Sequence, residues 1–473
     1  MTGPGVGRGL RAIALSAWIW VVAPAASWAD SLPWALAQAY QNNPQLNAQR
    51  TAVRVSDENV PQALSGFRPR VSLSASISEA YVDNLSKSTS PTTGGPIYSR
   101  SKGETTAQSY GGTVTQNILN GYQTASRTRQ AEHLVSAARE TLRLTEQNVL
   151  LAAATTYMNL IRDAAILDLQ GRNVEVLQEQ LRQTQDRFNV GEVTRTDVAQ
   201  SESRLAAARA SMLQAESNLT TSRSTYRQVI GVEAGKLEPA SPVDRLAPRA
   251  LPQAIQEAWM RHPSVTTAMF NVDAALMQVK IAEGALYPSL NIVGSVQKNY
   301  GSTQALSTLE SFSGSAGAQV TVPVYQGGGE YATIRQSKES LNQRRSDLDT
   351  ARDQARQTLV QSWGQLESTK AQIQATQAQV TATEIALNGV REEARVGQRT
   401  TLDVLNAQQE LVNARVSLVT AQRDRVVASY TLLAASGRLS ARVLALKVPV
   451  YDPVVHYHQV RDSWSGVRVP DGK

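Results

Sequence analysis

The chain of 473 residues contains no cysteine. This excludes a disulfide framework and a lipidated N-terminal cysteine, and it lets the protein live in an oxidising compartment without mispaired thiols. Aromatic residues make up 5% and hydrophobic residues 41% of the chain, too little to fill several globular cores, so an elongated, helix-rich shape is expected. Past residue 29 no segment approaches the roughly 18 to 20 consecutive apolar residues of a spanning helix, so any later membrane contact must use strands. Proline is missing from Gly121 to Glu238 and from Val324 to Lys447, which removes the usual helix breaker from two very long stretches. The formal charge is +7, but Lys and Arg are interspersed with Asp and Glu. With the export signal below, this argues against nucleic acid as a partner. No Gly-x-Ser-x-Gly element, His-Glu-x-x-His element or paired catalytic carboxylate is present, so no enzyme activity and no cofactor are expected.

The N-terminus reads as a secretory leader over residues 1–29. Arg8 and Arg11 precede the apolar run Ala12 to Ala23, and Ser27-Trp28-Ala29 offers small residues at the positions a signal peptidase requires, which would leave Asp30 first. The run is short for a transmembrane helix.

An internal repeat organises the rest. "LPWALAQAYQNNP" at Leu32 returns as "LPQAIQEAWMRHP" at Leu251, an offset of 219 that also relates Pro69 to Pro288 and Tyr81 to Tyr300. Further on the offset is 206, relating Gly121 to Gly327, Val190-Gly191 to Val396-Gly397, Asp197 to Asp403 and Gly231 to Gly437. The difference of 13 residues falls between Tyr81 and Val114, in a Ser-, Thr-, Gly- and Pro-rich stretch that reads as a long exposed loop. The organisation expected is a first repeat over 30–240, with a β-hairpin at 71–119 and a helical hairpin at 121–230. A second repeat over 241–437 has its β-hairpin at 290–325 and its helical hairpin at 327–436, and a tail follows over 438–473.

The hairpin strands are read from alternation. "VSLSASIS" from Val71 alternates apolar and small polar residues without exception, and "LNIVGSV" and "AQVTVPV" in repeat two do so less cleanly; these lengths suit tilted membrane strands. Of the 14 tyrosines and four phenylalanines, ten gather at the expected strand ends, as an interfacial girdle requires. Between the hairpins the pattern is helical. Leu160, Leu167, Val174, Leu181 and Phe188 recur every seven residues, as do Val198, Leu205, Met212, Leu219 and Tyr226, and the second repeat keeps both registers with Arg425 as its one polar exception. A sustained heptad means a left-handed supercoil, and a short turn makes the two helices antiparallel neighbours.

Four strands cannot close a transmembrane barrel, because a sheet edge cannot face lipid and single-chain barrels start at about eight strands. Other copies must supply the rest; two would give eight strands and three twelve. At this point the chain resembles a known family, the TolC-like outer-membrane efflux and secretion channels. The resemblance covers nearly all of the expected mature chain and rests on the duplicated plan, the junction "TVPVYQGGGEYA", the turns "RFNVGEVTRTDV" and "ARVGQRTTLDVLNAQQEL", and the ending "VYDPVVHYHQVRD".

The fold class implied is a membrane α+β protein with a duplicated repeat. Four strands per chain enter a trimeric twelve-stranded outer-membrane barrel, continued by a long antiparallel α-helical coiled-coil tunnel across the periplasm of a Gram-negative bacterium. The resemblance also implies a homotrimer in contact with outer-membrane lipid, a periplasmic adaptor, an inner-membrane transporter and no catalysis. A secreted periplasmic coiled-coil scaffold without a pore is the rival.

The resemblance implies roles for the two helix-helix turns. Asp403 would form a carboxylate ring around the threefold axis at the periplasmic aperture, with the alternative that it is an ordinary first-turn residue favoured by the helix dipole. Arg399 would link to Thr196 and Asp197 to hold the closed state. The sequence departs from the family at Ala394, where a tyrosine helps the lock, and at Asn406, where a second ring aspartate stands; Arg195 or Arg395 would then replace part of the lock. Val190, Gly191, Val396 and Gly397 match positions where adaptors dock, and glycine helix termination accounts for the same residues. The Gly327–Gly329 run is read as a bend between barrel and tunnel. His456 and His458 form a His-x-His pair without visible further ligands, so no metal site is assigned.

Overall fold

The computed structural model describes residues 30–248, 250–302 and 310–470, and the expected leader over 1–29 lies outside them. Helices α1 (Leu32–Asn42), α2 (Pro44–Asp57) and α3 (Asn59–Leu64) precede strands β1 (Arg70–Thr89) and β2 (Pro96–Asn120), which lead into α4 (Gln123–Asn189) and α5 (Arg195–Ile230). The order then recurs as α6 (Leu251–Arg261), α7 (Pro263–Gly284), β3 (Ser289–Ser302), β4 (Glu310–Thr321), α8 (Gly329–Arg395) and α9 (Thr401–Ala435), and α10 (Pro453–Val460) closes the chain. Both α4 and α8 have 67 residues, about 100 Å at 1.5 Å per residue. None of the described helices is long and apolar enough to cross a membrane.

The strands form one antiparallel meander, β1-β2-β3-β4, whose register keeps two chemically distinct faces. Val71, Leu73 and Ile77 share a face with Val114 on β2, Ile292 and Val296 on β3, and Phe312 and Val320 on β4. The opposite face carries Ser72, Ser74, Thr113, Thr115, Asn291, Ser295, Ser315 and Gln319. Alternation with period two therefore holds across all four strands near the helices, and beyond Ile77 the first face turns charged and aromatic through Glu79, Tyr81, Asp83 and Lys102.

Two expectations for the strands are corrected. The stretch between Tyr81 and Val114 is not a long loop: β1 and β2 stay paired out to Thr89 and Pro96, leaving a turn over 90–95. Arg100 donates both Nε and Nη2 to the Asp83 carboxylate at 2.7 Å, Thr105 bonds the Ala80 carbonyl, and Lys102 and Lys87 sit over the Tyr81 and Tyr98 rings. The Ser- and Thr-rich composition that resembles a loop serves equally as a hydrogen-bonding ladder. In repeat two the last strand ends at Thr321 rather than near Tyr325, because Pro323 has no N–H to donate to a ladder.

The passage from strand to helix is made the same way twice. Gly121 and Tyr122 both have positive φ, 59° and 60°, and their mates Gly327 and Gly328 have 75° and 85°, so the bend needs two consecutive left-handed residues. Gly121 is further confined. A Cβ there would collide with the Gly284 carbonyl oxygen, because the end of α7 and the start of α4 are in backbone contact.

The main core lies where α1, α2, α4 and α5 meet the C-terminal tail, around Leu36, Leu46, Leu150, Tyr157, Tyr226 and Leu439, while a smaller cluster around Ala254, Leu359 and Leu432 serves the second repeat. Arg425, the break in the heptad pattern, sits at an edge and forms a two-bond ion pair with Asp244 of the inter-repeat segment, which holds that carboxyl below the usual range. His456 is buried beside Asp57, Nδ1 to Oδ2 2.9 Å, with the two side chains 1% and 0% exposed. Burial pushes the Asp57 carboxyl up, opposed by His456 and Arg139. The His-x-His pair thus contributes its first histidine to packing α10 on α2.

Candidate functional site at the helix-hairpin tips

Each tip is built from two local devices. At the end of α4, the Gly191 N–H donates to the Phe188 carbonyl and the Glu192 N–H to the Arg187 carbonyl, at 3.0 and 2.9 Å. At the end of α8, Gly397 donates to Ala394 and Gln398 to Glu393, at 3.2 and 2.9 Å. Both are Schellman motifs with a left-handed glycine, φ 82° and 79°. The next helices, α5 and α9, open with a capping box. Thr194 and Thr400 accept from the backbone of Asp197 and Asp403, whose carboxylates accept in return from the threonine N–H and hydroxyl groups. Glycine termination and adaptor docking at Val190-Gly191 and Val396-Gly397 are compatible, because the turn leaves both valines 72% and 70% exposed.

The capping box places the two aspartates in the same hydrogen-bonding pattern. The Thr400 N–H, then its hydroxyl, hold the Asp403 carboxyl below the ordinary range, and Arg399 adds a further pull. Arg399 donates from Nε to Glu393 at 2.8 Å and is held above its usual range first by that contact. The link expected from Arg399 to Thr196 and Asp197 is not made within one chain. Glu393 stands six residues away across the turn, and Asp197 is occupied by Thr194.

Near the tips one side-chain hydrogen bond joins the two hairpins and another ties the two arms of the second hairpin together. Arg204 of α5 donates to the Asn406 side-chain oxygen of α9 at 2.7 Å, across the two repeats, and Arg391 of α8 reaches Gln408 of α9 at 2.9 Å. Asn406, expected at the aperture in place of a ring aspartate, has Arg204 as its partner, a pairing that nothing in the local sequence marks. Leu205 and Leu405 pack with Leu177 just behind the tips. Ala394 leaves a groove of about 560 Å³ shared with Glu175, Glu179, Arg187, Arg391 and Arg395, where a tyrosine would occupy space.

A two-faced four-stranded sheet set on two helical hairpins, each with one 67-residue arm, defines the class of outer-membrane channel subunits. The outer membrane efflux protein family model matches residues 35–232 and 254–438, and the chain belongs to that family, whose members are transport proteins of the outer membrane. It is 39% identical to the outer membrane efflux protein BepC of Brucella suis over 95% of this chain and 94% of that one. It is 25% identical to the outer membrane protein TolC of Escherichia coli, over 90% and 86% of the two chains. The fold matches the crystal structure of the Campylobacter jejuni CmeC outer membrane channel with a TM-score of 0.72 at 16% identity, covering 86% of this chain and 85% of that one.

Proposed function

We propose that three copies of this chain form one channel-tunnel, the exit duct of a tripartite efflux or type I secretion system. The observation that carries the reading is the sheet itself: β1 and β4 are edges with no neighbour among the described residues, one face presents an apolar cluster of Val71, Leu73, Ile77, Val114, Ile292, Val296, Phe312 and Val320, and unsatisfied edges cannot stand in lipid. Three sheets side by side close a barrel of twelve strands with the Ser, Thr, Asn and Gln face inward and the apolar face toward outer-membrane lipid. The helices continue the wall into the periplasm, and the tips become the entrance. A periplasmic adaptor seats on Val190, Gly191, Val396 and Gly397, and an inner-membrane transporter supplies the energy.

At the entrance three Asp403 carboxylates face one another. Mutual repulsion raises their pKa values, while the capping box of each chain opposes the shift. Asp403 remains ionised at neutral pH and makes the entrance attract cations. Arg399 then has two possible partners, Glu393 within its own turn and Asp197 or Thr196 of a neighbouring hairpin, and exchange between them is the proposed opening step. The efflux name of the relative that is 39% identical over nearly all of the chain favours efflux over secretion.

Two measurements test this. Crosslinking or native mass measurement in detergent should give a trimer, and a stable monomer would sink the barrel in favour of the pore-free scaffold. Multivalent cations on the tip side should block single-channel current, and Asp403→Ala should relieve the block. Block that persists in Asp403→Ala would move the constriction to another residue.

A further inference from the structure

The polar face of the sheet carries fixed charge of one sign. Along β1 it runs through Arg70, Ser72, Ser74 and onward to Ser88, and across the sheet it continues through Thr115, Asn117 and Asn291. The other charged residues of the four strands, from Glu79 on β1 to Glu310 on β4, all fall on the opposite face. Among the described residues Arg70 is therefore the one charge on the polar face, and it stands at the helix end of the strand.

Two more arginines converge on it. Arg68, Arg70 and Arg127 line a cavity of about 190 Å³ together with Thr115, Asn117 and Asn291, and Asn117 and Asn291 are bonded to each other at 3.0 Å. Arg68 donates to the Ser463 carbonyl at 2.6 Å and lies over the Trp464 ring, and Arg127 donates to the Gln123 side chain at 3.0 Å. These partners are neutral. Among the described residues none of the three guanidinium groups is ion-paired, and Arg70 has no polar partner at all. The corresponding positions of the second repeat are Tyr287, Ser289 and Thr333, so the cluster belongs to repeat one alone.

We propose that Arg68, Arg70 and Arg127 form an anion-binding station at the base of the barrel lumen, which takes carboxylate or phosphate groups of passing cargo. The proposal rests on the channel reading above: three copies give a positive ring at the barrel base, opposite in sign to the Asp403 ring at the entrance. Guanidinium groups bind both anions through paired N–H donors, and low-dielectric walls focus the field of a ring inside a pore. Cargo bearing anionic groups is drawn out of the tunnel into the barrel.

The test is single-channel recording of the full-length protein in planar bilayers at low salt, with inorganic tripolyphosphate added on the barrel side. Wild type should show voltage-dependent block. Arg70→Ser with Arg127→Thr, which copies the second repeat and leaves Arg68 on Trp464, should raise the half-blocking concentration about tenfold or more. Arg70→Lys with Arg127→Lys, which keeps the charge, should retain most of the block and guards against a folding defect in the first pair. No block in wild type, or equal block in the charge-removing variant, would overturn the station while leaving the channel intact. Absence of any conductance would instead sink the channel reading.

Discussion

The two repeats carry the same hydrogen-bonding motifs at their tips and differ most at their equators, the regions where the short helices α1, α2, α6 and α7 pack on the long ones. At the tips, Val-Gly, the capping threonine and the aspartate recur in the same motif with matching hydrogen bonds. At the equator, α1 and α2 are sunk in the main core beneath the C-terminal tail, whereas α6 contributes only Ala254 and Ala258 to buried surface and leaves Trp259 and Met260 exposed. The tips are made of contacts within a dozen residues, which duplication copies intact. The equator of repeat one is completed by a tail that exists once, so a duplicated sequence could not be packed twice alike. The mate of Leu219, Arg425, shows the same logic: the second repeat spends that seam position on Asp244, a residue of the segment that joins the repeats.

The largest test removes the asymmetry. His456→Ala takes the closer hydrogen-bond partner from the buried Asp57, leaving Arg139 at 3.7 Å, and opens a cavity where the ring was, about 3–5 kcal/mol together. Denaturant midpoints should fall accordingly, and limited proteolysis should release the tail first. An unchanged midpoint would mean that the tail does not hold the first equator.

Next in size is the contrast between the two strand-to-helix bends. Gly121→Ala meets both a left-handed backbone and the Gly284 carbonyl, about 3 kcal/mol together. Gly327→Ala, with open space around the new methyl group, pays only the backbone term of about 1 kcal/mol. Equal losses in thermal unfolding would show that the close approach at Gly121 is relieved at no cost.

The smallest effect concerns pH. Asn43 caps α2 and its mate His262 caps α7, where Nδ1 accepts from the Ser264 N–H at 3.3 Å, a bond only the neutral ring can make. Burial, then Arg143, pushes the His262 pKa below its ordinary 6.5. A histidine with a depressed folded pKa stabilises fully above the unfolded value, and that contribution is lost as pH falls through the folded value. Acidification below pH 6.5 should therefore weaken the second equator by about 1 kcal/mol, the scale of a lost cap. His262→Asn should abolish this part of the pH dependence, measured by urea unfolding at neutral and mildly acidic pH. An identical pH slope in the variant would assign the effect elsewhere.

Everything governed by short-range periodicity is legible in the amino-acid order. The heptad spacing set the long helices, period-two alternation set the faces of the sheet, and the Val-Gly and Thr-x-x-Asp patterns set the tips, because each depends on neighbours within one or two turns of chain. Between Tyr81 and Val114 composition misleads, since Ser and Thr serve loops and ladders alike. The distant partners came from packing alone. His456 meets Asp57 across 399 residues and Arg204 meets Asn406 across 202, while Arg68 and Arg70 join Arg127 from the far end of a folded hairpin. A charged side chain carries no local mark of the group it will face. Its partner is fixed by which helices pack and by which carboxylates burial leaves within reach.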